Sequence, residues 1–315
     1  MHPSFSIILF TVLSGTGYGI LALLGYGAAA RLLPPNPKFA FATFAVALSL
    51  ITIGLLASLF HLGRPTRSWR AISQWRSSWL SREGTMALLT YVPALPFAAG
   101  WVLLGTNSGV FALCGAIAAV LALVTVFCTG MIYASLKPIH QWHNRWVVPN
   151  YLVIAIMTGA LWVNFLLQAR GFARPTVAGI AAGAALLGFL LKIGYWRFID
   201  TTGARSTPET ATGLDQFGRV RLLDPPHTQD NFLSREMGYR LARKHAWQLR
   251  RISLSLGFFV PFVLAGLTIA VTGRFATIIA LVAAGSAMIG VLVERWLFFA
   301  EAKHTVMLYY GAESA

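Results

Sequence analysis

The stretch His61–Glu83, HLGRPTRSWRAISQWRSSWLSRE, brings five arginines, three tryptophans, one histidine and one glutamate together between two apolar runs. His61 titrates near neutrality, Arg64 is a permanent cation suited to an anionic oxygen, and Glu83 can pass a proton. Together these side chains can hydrogen-bond a quinone carbonyl and manage the protons of its two-electron reduction. A second reading stays open on spacing alone. Glu83 can pair with Arg82 or Arg64 at a helix start, where an acid also suits the dipole.

These residues must be positioned by lipid-embedded elements. The chain has 315 residues, 57% of them hydrophobic and only 11% charged, whereas soluble domains carry about 25% charged residues. Apolar runs long enough to cross a bilayer of roughly 30 Å recur along it. The expected fold is an all-α integral membrane bundle of eight transmembrane helices, near residues 6–31, 39–60, 84–104, 110–136, 151–168, 177–196, 252–271 and 275–299. Pro34-Pro35 stops the first span, Pro93 and Pro96 kink the third, and Lys192 snorkels from near the end of the sixth. The N-terminus has no basic segment and no small-residue cleavage site, so it does not resemble a cleaved signal peptide and the first span is expected to be retained.

Within the opening stretch, Trp69, Ile72, Trp75 and Trp79 recur at three- and four-residue steps. They predict a short helix over 65–80 lying in the interface, with its arginines directed outward. A second polar and aromatic group, Tyr133, Lys137, His140, Trp142, His143, Trp146 and Tyr151, is expected at the same face as an aromatic belt. The loop 199–251 is the one sizeable water-soluble segment. It begins irregular and ends in an amphipathic helix over 235–251, with Met237, Leu241, Ala242, His245 and Leu249 on one face and Arg243 and Lys244 among its cations. That helix can rest on anionic headgroups or dock an acidic protein surface. Both uses are open.

The net charge of +15 lies in loops, which argues for topology and not nucleic acid. With eight spans, one face receives Arg64, Arg67, Arg70, Arg76, Arg82, Lys137, Arg145, ten cations between Arg197 and Arg251, Arg295 and Lys303. The other receives Arg31, Lys38, Arg170, Arg174 and Arg274. The positive-inside bias places both termini and the His61–Glu83 stretch in the cytoplasm. Glu83, Glu294 and Glu301 fall at the ends of spans on that face, where an ionisable group is a functional candidate.

Other chemistries lack their residues. Cys114 and Cys128 on one helix stand about 21 Å apart, too far for a disulfide. No histidine falls inside a span, which argues against intrinsic haem, and no metalloprotease, phosphate-loop or serine-nucleophile motif occurs. A secondary transporter is the alternative from another class, but no paired broken helices mark an inverted repeat.

The segments MHPSFSIILFTVLSGTGYG, HLGRPTRSWRAISQWRSSWLSRE, CTGMIYASLKPIHQWHN and AKHTVMLYYG resemble the membrane anchor subunit of the dimethyl sulfoxide reductase family, with likeness along essentially the whole chain. The resemblance implies a bacterial inner-membrane anchor that holds no haem and exchanges electrons with a quinone. Its partners would be a molybdopterin catalytic subunit and an iron–sulfur subunit with four clusters. It maps the family's quinol-site histidine and glutamate onto His61 and Glu83, and makes Arg67, Arg70, Arg76, Arg243 and Lys244 candidates for docking the iron–sulfur subunit. The loop before the seventh span is longer than in shorter family members. The inward-facing basic surface favours a sulfite-oxidising complex that reduces ubiquinone over an S-oxide reductase anchor that oxidises menaquinol.

Overall fold

A computed structural model describes residues 3–60, 62, 64–203, 206–224, 229, 231, 237 and 241–313, with backbone alone for 241–244. His61 therefore lies outside the described residues, as do Arg235 and the side chains of Arg243 and Lys244. The described chain is helical with no strand, and eight of its helices are long and apolar enough to cross a membrane.

The elements are α1 (Phe5–Ala29), α2 (Pro37–Leu59), a 3₁₀ helix Pro65–Gln74, α3 (Trp79–Leu103), α4 (Gly109–Ala134), α5 (Val147–Ala169), α6 (Pro175–Thr201) and the short α7 (Pro208–Thr212). A 3₁₀ turn follows at Asp215–Phe217. Then come α8 (Leu241–Leu254), a π-helical turn Ser255–Phe259, α9 (Val260–Ala270), α10 (Gly273–Ala300) and a 3₁₀ helix Thr305–Tyr310. The seventh span is His245–Ala270, running from α8 through the π turn into α9.

α1 and α5 are the most enclosed spans. α1 packs against α2, α4, α5 and α10, and α5 against α4, α6 and α10. Small residues let these backbones meet, as packing in lipid requires. A Cβ on Gly19 would strike the Ala155 carbonyl and one on Gly159 the backbone of Gly19, so the α1–α5 crossing depends on both glycines. In the seventh span the π turn leaves the Leu256 carbonyl to accept from Ser286 Oγ of α10 at 2.8 Å.

Three expectations need correction. The interfacial helix over 65–80 is a 3₁₀ helix that ends at Gln74. Ser78 then caps α3, accepting from the Ser81 amide at 3.5 Å, so Trp79 belongs to the third span. Residues three apart align along a 3₁₀ helix, which leaves Trp69, Ile72 and Trp75 on one exposed ridge. α6 continues five residues beyond Trp196, so Lys192 lies about 13 Å from its C-terminal end and is buried, not snorkelled. Tyr133, Trp142 and Tyr151 form no interfacial belt. They are buried against Phe298 and Phe299 of α10, with Trp142 Nε1 donating to the Phe298 carbonyl at 2.9 Å.

Candidate functional site: a buried carboxyl beside a polar cavity

Because α3 starts at Trp79, Glu83 sits one turn inside the helix. It lies on the inward stripe with Ala87, Thr90, Ala94 and Phe97, all buried. Its carboxylate Oε1 accepts from the Thr129 hydroxyl of α4. Among the described residues no ion pair joins Glu83 to any cation, so pairing with Arg82 or Arg64 does not occur there. Arg82 instead donates to the carbonyls of Trp75 at 3.0 Å and Arg76 at 2.6 Å, and its guanidinium lies 4.2 Å over Trp79. It closes the turn that launches α3, and Ser81 Oγ ties the same helix start to the Ala71 carbonyl.

The loop residues named from the sequence stay at the surface. Arg64, Arg67, Arg70 and Arg76 are exposed, with Arg70 and Arg76 lying over their neighbours Trp69 and Trp75. The described structure thus does not bring Arg64 onto Glu83.

What adjoins Glu83 is an interior polar cavity. Thr129 lines it, with Thr11, Ser14, Thr16 and Tyr18 of α1, Tyr151 and Thr158 of α5, and Arg295 of α10. The Thr16 and Thr158 hydroxyls meet at 3.1 Å on its wall. Space open to water centres is about 20 Å³. One or two waters fit, since each needs roughly 10–15 Å³, but a quinone ring does not.

Beyond this cavity lies an ion cluster that the sequence reading missed. Lys192 Nζ of α6 pairs with Glu294 Oε1, and Arg295 Nε lies 2.8 Å from Glu294 Oε2. The Arg295 guanidinium stacks 3.8 Å over the Tyr151 ring, and Lys192 Nζ lies 4.1 Å over that of Tyr195. All three charged side chains are almost fully enclosed. The signal available in the sequence was a cation in span six and an acid in span eight, each a few turns from the same face.

At the membrane face, Arg250 binds Glu301 Oε1 at 2.8 Å and Asp200 at 2.6 Å, while Trp196 Nε1 donates to Glu301 Oε2 at 3.2 Å. Burial pushes the Glu301 carboxyl above its ordinary value, with Arg250 opposing the shift. His140, expected in the aromatic group, meets Thr202 Oγ1 at 2.9 Å and stacks on Phe198.

Comparison with known proteins bears on this arrangement. The family described as DMSO reductase anchor subunit (DmsC) matches residues 1–299. A sulfite dehydrogenase subunit from Allochromatium vinosum is 34% identical, over 98% of this chain and 99% of that protein.

Proposed function

Because the chain belongs to the DMSO reductase anchor subunit family, we propose that it is the membrane anchor and quinone-reactive subunit of a molybdenum/iron–sulfur oxidoreductase. In this reading electrons pass between an iron–sulfur subunit and the quinone pool, in the sulfite-oxidising direction toward ubiquinone. The relative in Allochromatium vinosum, named for sulfite dehydrogenase, supports that direction.

The observation that carries the site assignment is Glu83. It is a carboxyl buried at membrane depth, held by one hydroxyl and by no cation among the described residues. A structural carboxylate would be expected to be compensated in place, because burying an unpaired charge is costly. A proton-carrying one has reason to lack a direct ion-pair partner. A bound quinone supplies a two-electron, two-proton acceptor. Glu83 fits it as the group that holds and releases a proton, Thr129 fixing Oε1 and leaving Oε2 for the exchange. The interior cavity is too small for the ring, so the headgroup belongs on the loop side of Glu83. In this proposal His61 donates a hydrogen bond and Arg64 supplies positive charge there.

Glu83→Gln keeps the side-chain shape and removes the exchangeable proton. Loss of a general acid–base group costs about a hundredfold or more. Quinone-linked turnover of the assembled complex should fall by that amount while turnover with an artificial dye persists. Wild-type quinone-linked rates would sink the assignment. The family description also admits an S-oxide reductase running in the opposite direction. Comparing sulfite and S-oxide turnover of the same complex separates the two.

A further inference from the structure

The Lys192–Glu294–Arg295 cluster holds two cations against one carboxylate. An uncompensated charge at this depth is costly. Glu83 is buried within the bundle, and its partner Thr129 lines the same polar cavity as Arg295, whereas Glu301 at the membrane face is held by Arg250. The cavity wall presents polar atoms that make no hydrogen bond, namely the hydroxyls of Tyr18 and Tyr151 and Nη1 and Nη2 of Arg295. The Arg295 guanidinium meets Tyr151 through the ring face and is itself part of the cavity lining. A polar site of this size with several unpaired donors is suited to ordered water.

We infer that this cavity is a water-bridged proton-transfer site, in which the surplus cation of the cluster, presented by Arg295, stabilises ionised Glu83 and water returns the proton that Glu83 gives up. The inference rests on the reading of Glu83 as the proton-exchanging group and adds how that group is reset. Each cycle makes and breaks only O–H bonds. Glu83 loses one proton on its loop side and gains one from cavity water, and the water is replenished along the hydroxyls of Ser14 and Thr11 toward the start of α1. Arg295 acts as a positioning residue. The groups that the charge of Glu83 reaches are Tyr18 of α1, Cys128 and Tyr133 of α4, and Tyr151 of α5, with Arg82 its neighbour in sequence. Arg82 is committed to the carbonyls of the preceding turn, which leaves Arg295 as the cation turned to the cavity.

The test is an infrared pH titration of the purified complex, following the carboxyl C=O band that Glu83→Gln abolishes. In Arg295→Met the protonated band should persist to higher pH by about one unit or more, as expected when a nearby opposite charge is removed. Arg295→Lys should restore most of the wild-type titration. The double variant Tyr18→Phe, Tyr151→Phe, which leaves the cluster intact, should shift the band position by removing two water ligands. If Arg295→Met does not accumulate, the double variant decides alone. An unchanged band position and titration overturns the inference. These readouts do not depend on quinone turnover. If Glu83→Gln keeps wild-type quinone-linked rates, the proposed function falls and the titration still judges the cavity.

Discussion

Glu301 closes α10 with both carboxylate oxygens engaged, one by Arg250 and one by Trp196. Burial raises its proton affinity above the ordinary glutamate value of 4.5 despite Arg250. A raised acid favours the folded state in its protonated form. That contribution is complete below the ordinary value and is lost as pH rises through the higher folded value. Glu301→Gln should therefore show a smaller fall in unfolding temperature than the wild type from about pH 4.5 toward neutrality. Equal slopes for the two proteins would contradict this. Residues such as Glu301 and Glu83 were legible as ionisable groups at span ends, because so few acids lie outside the long loop. Their partners were not. Thr129 is 46 residues from Glu83 and Glu294 is 102 from Lys192, and no local pattern encodes such pairings. Lys192 was misread for a related reason: composition shows an amphipathic side chain near a helix end, but not that the helix runs on to Thr201.

At the scale of elements, the eight spans were legible because unbroken apolar runs leave little alternative in lipid, where backbone groups must be satisfied within the helix. Boundaries shifted where capping outweighed hydropathy. Ser78 caps α3 so that it starts at Trp79, ahead of the expected Gly84, and this moves Glu83 from the rim into the bundle. How the helices pack was hidden, since glycine and alanine are frequent on every span and only the fold shows which ones meet. The α1–α5 crossing is the informative case. Gly19 and Gly159 bring the two backbones together beside the Thr16–Thr158 pair that walls the cavity. Gly159→Ala inserts a methyl group against backbone, which cannot rotate away. Overpacking of this kind costs about 1–3 kcal/mol, so the detergent-solubilised protein should melt several degrees lower. Gly183→Ala on α6, whose Cβ would meet nothing within 4 Å, should leave the melting temperature near the wild-type value. A Gly159 variant as stable as that control would show that the crossing tolerates separation.

The whole molecule carries its charge asymmetrically, and this asymmetry has to serve both topology and assembly. On the positive-inside argument the proposed side for the face bearing the 3₁₀ helix Pro65–Gln74 is the cytoplasm. The ridge of Trp69, Ile72 and Trp75 suits the lipid interface, while Arg67, Arg70 and Arg76 are exposed on the same short segment. None of these three arginines forms an ion pair with an acidic side chain among the described residues, so their charge is available to something outside the chain. Anionic headgroups and an acidic iron–sulfur subunit would both be attracted, and mutation separates them. Exposed charges act chiefly on encounter and are screened by salt. Reversing all three to glutamate should reduce co-purified iron–sulfur subunit at least about tenfold at physiological ionic strength, since each well-placed interfacial charge contributes on the order of 1 kcal/mol. The anchor should still insert, because Arg64, Arg82, Lys137 and Arg145 keep the inward bias on that face. If the arginines serve headgroups alone, the triple variant will retain its full complement of partner subunit while binding anionic vesicles less well. That outcome would move the docking surface away from the loop, toward the segment that contains Arg243 and Lys244.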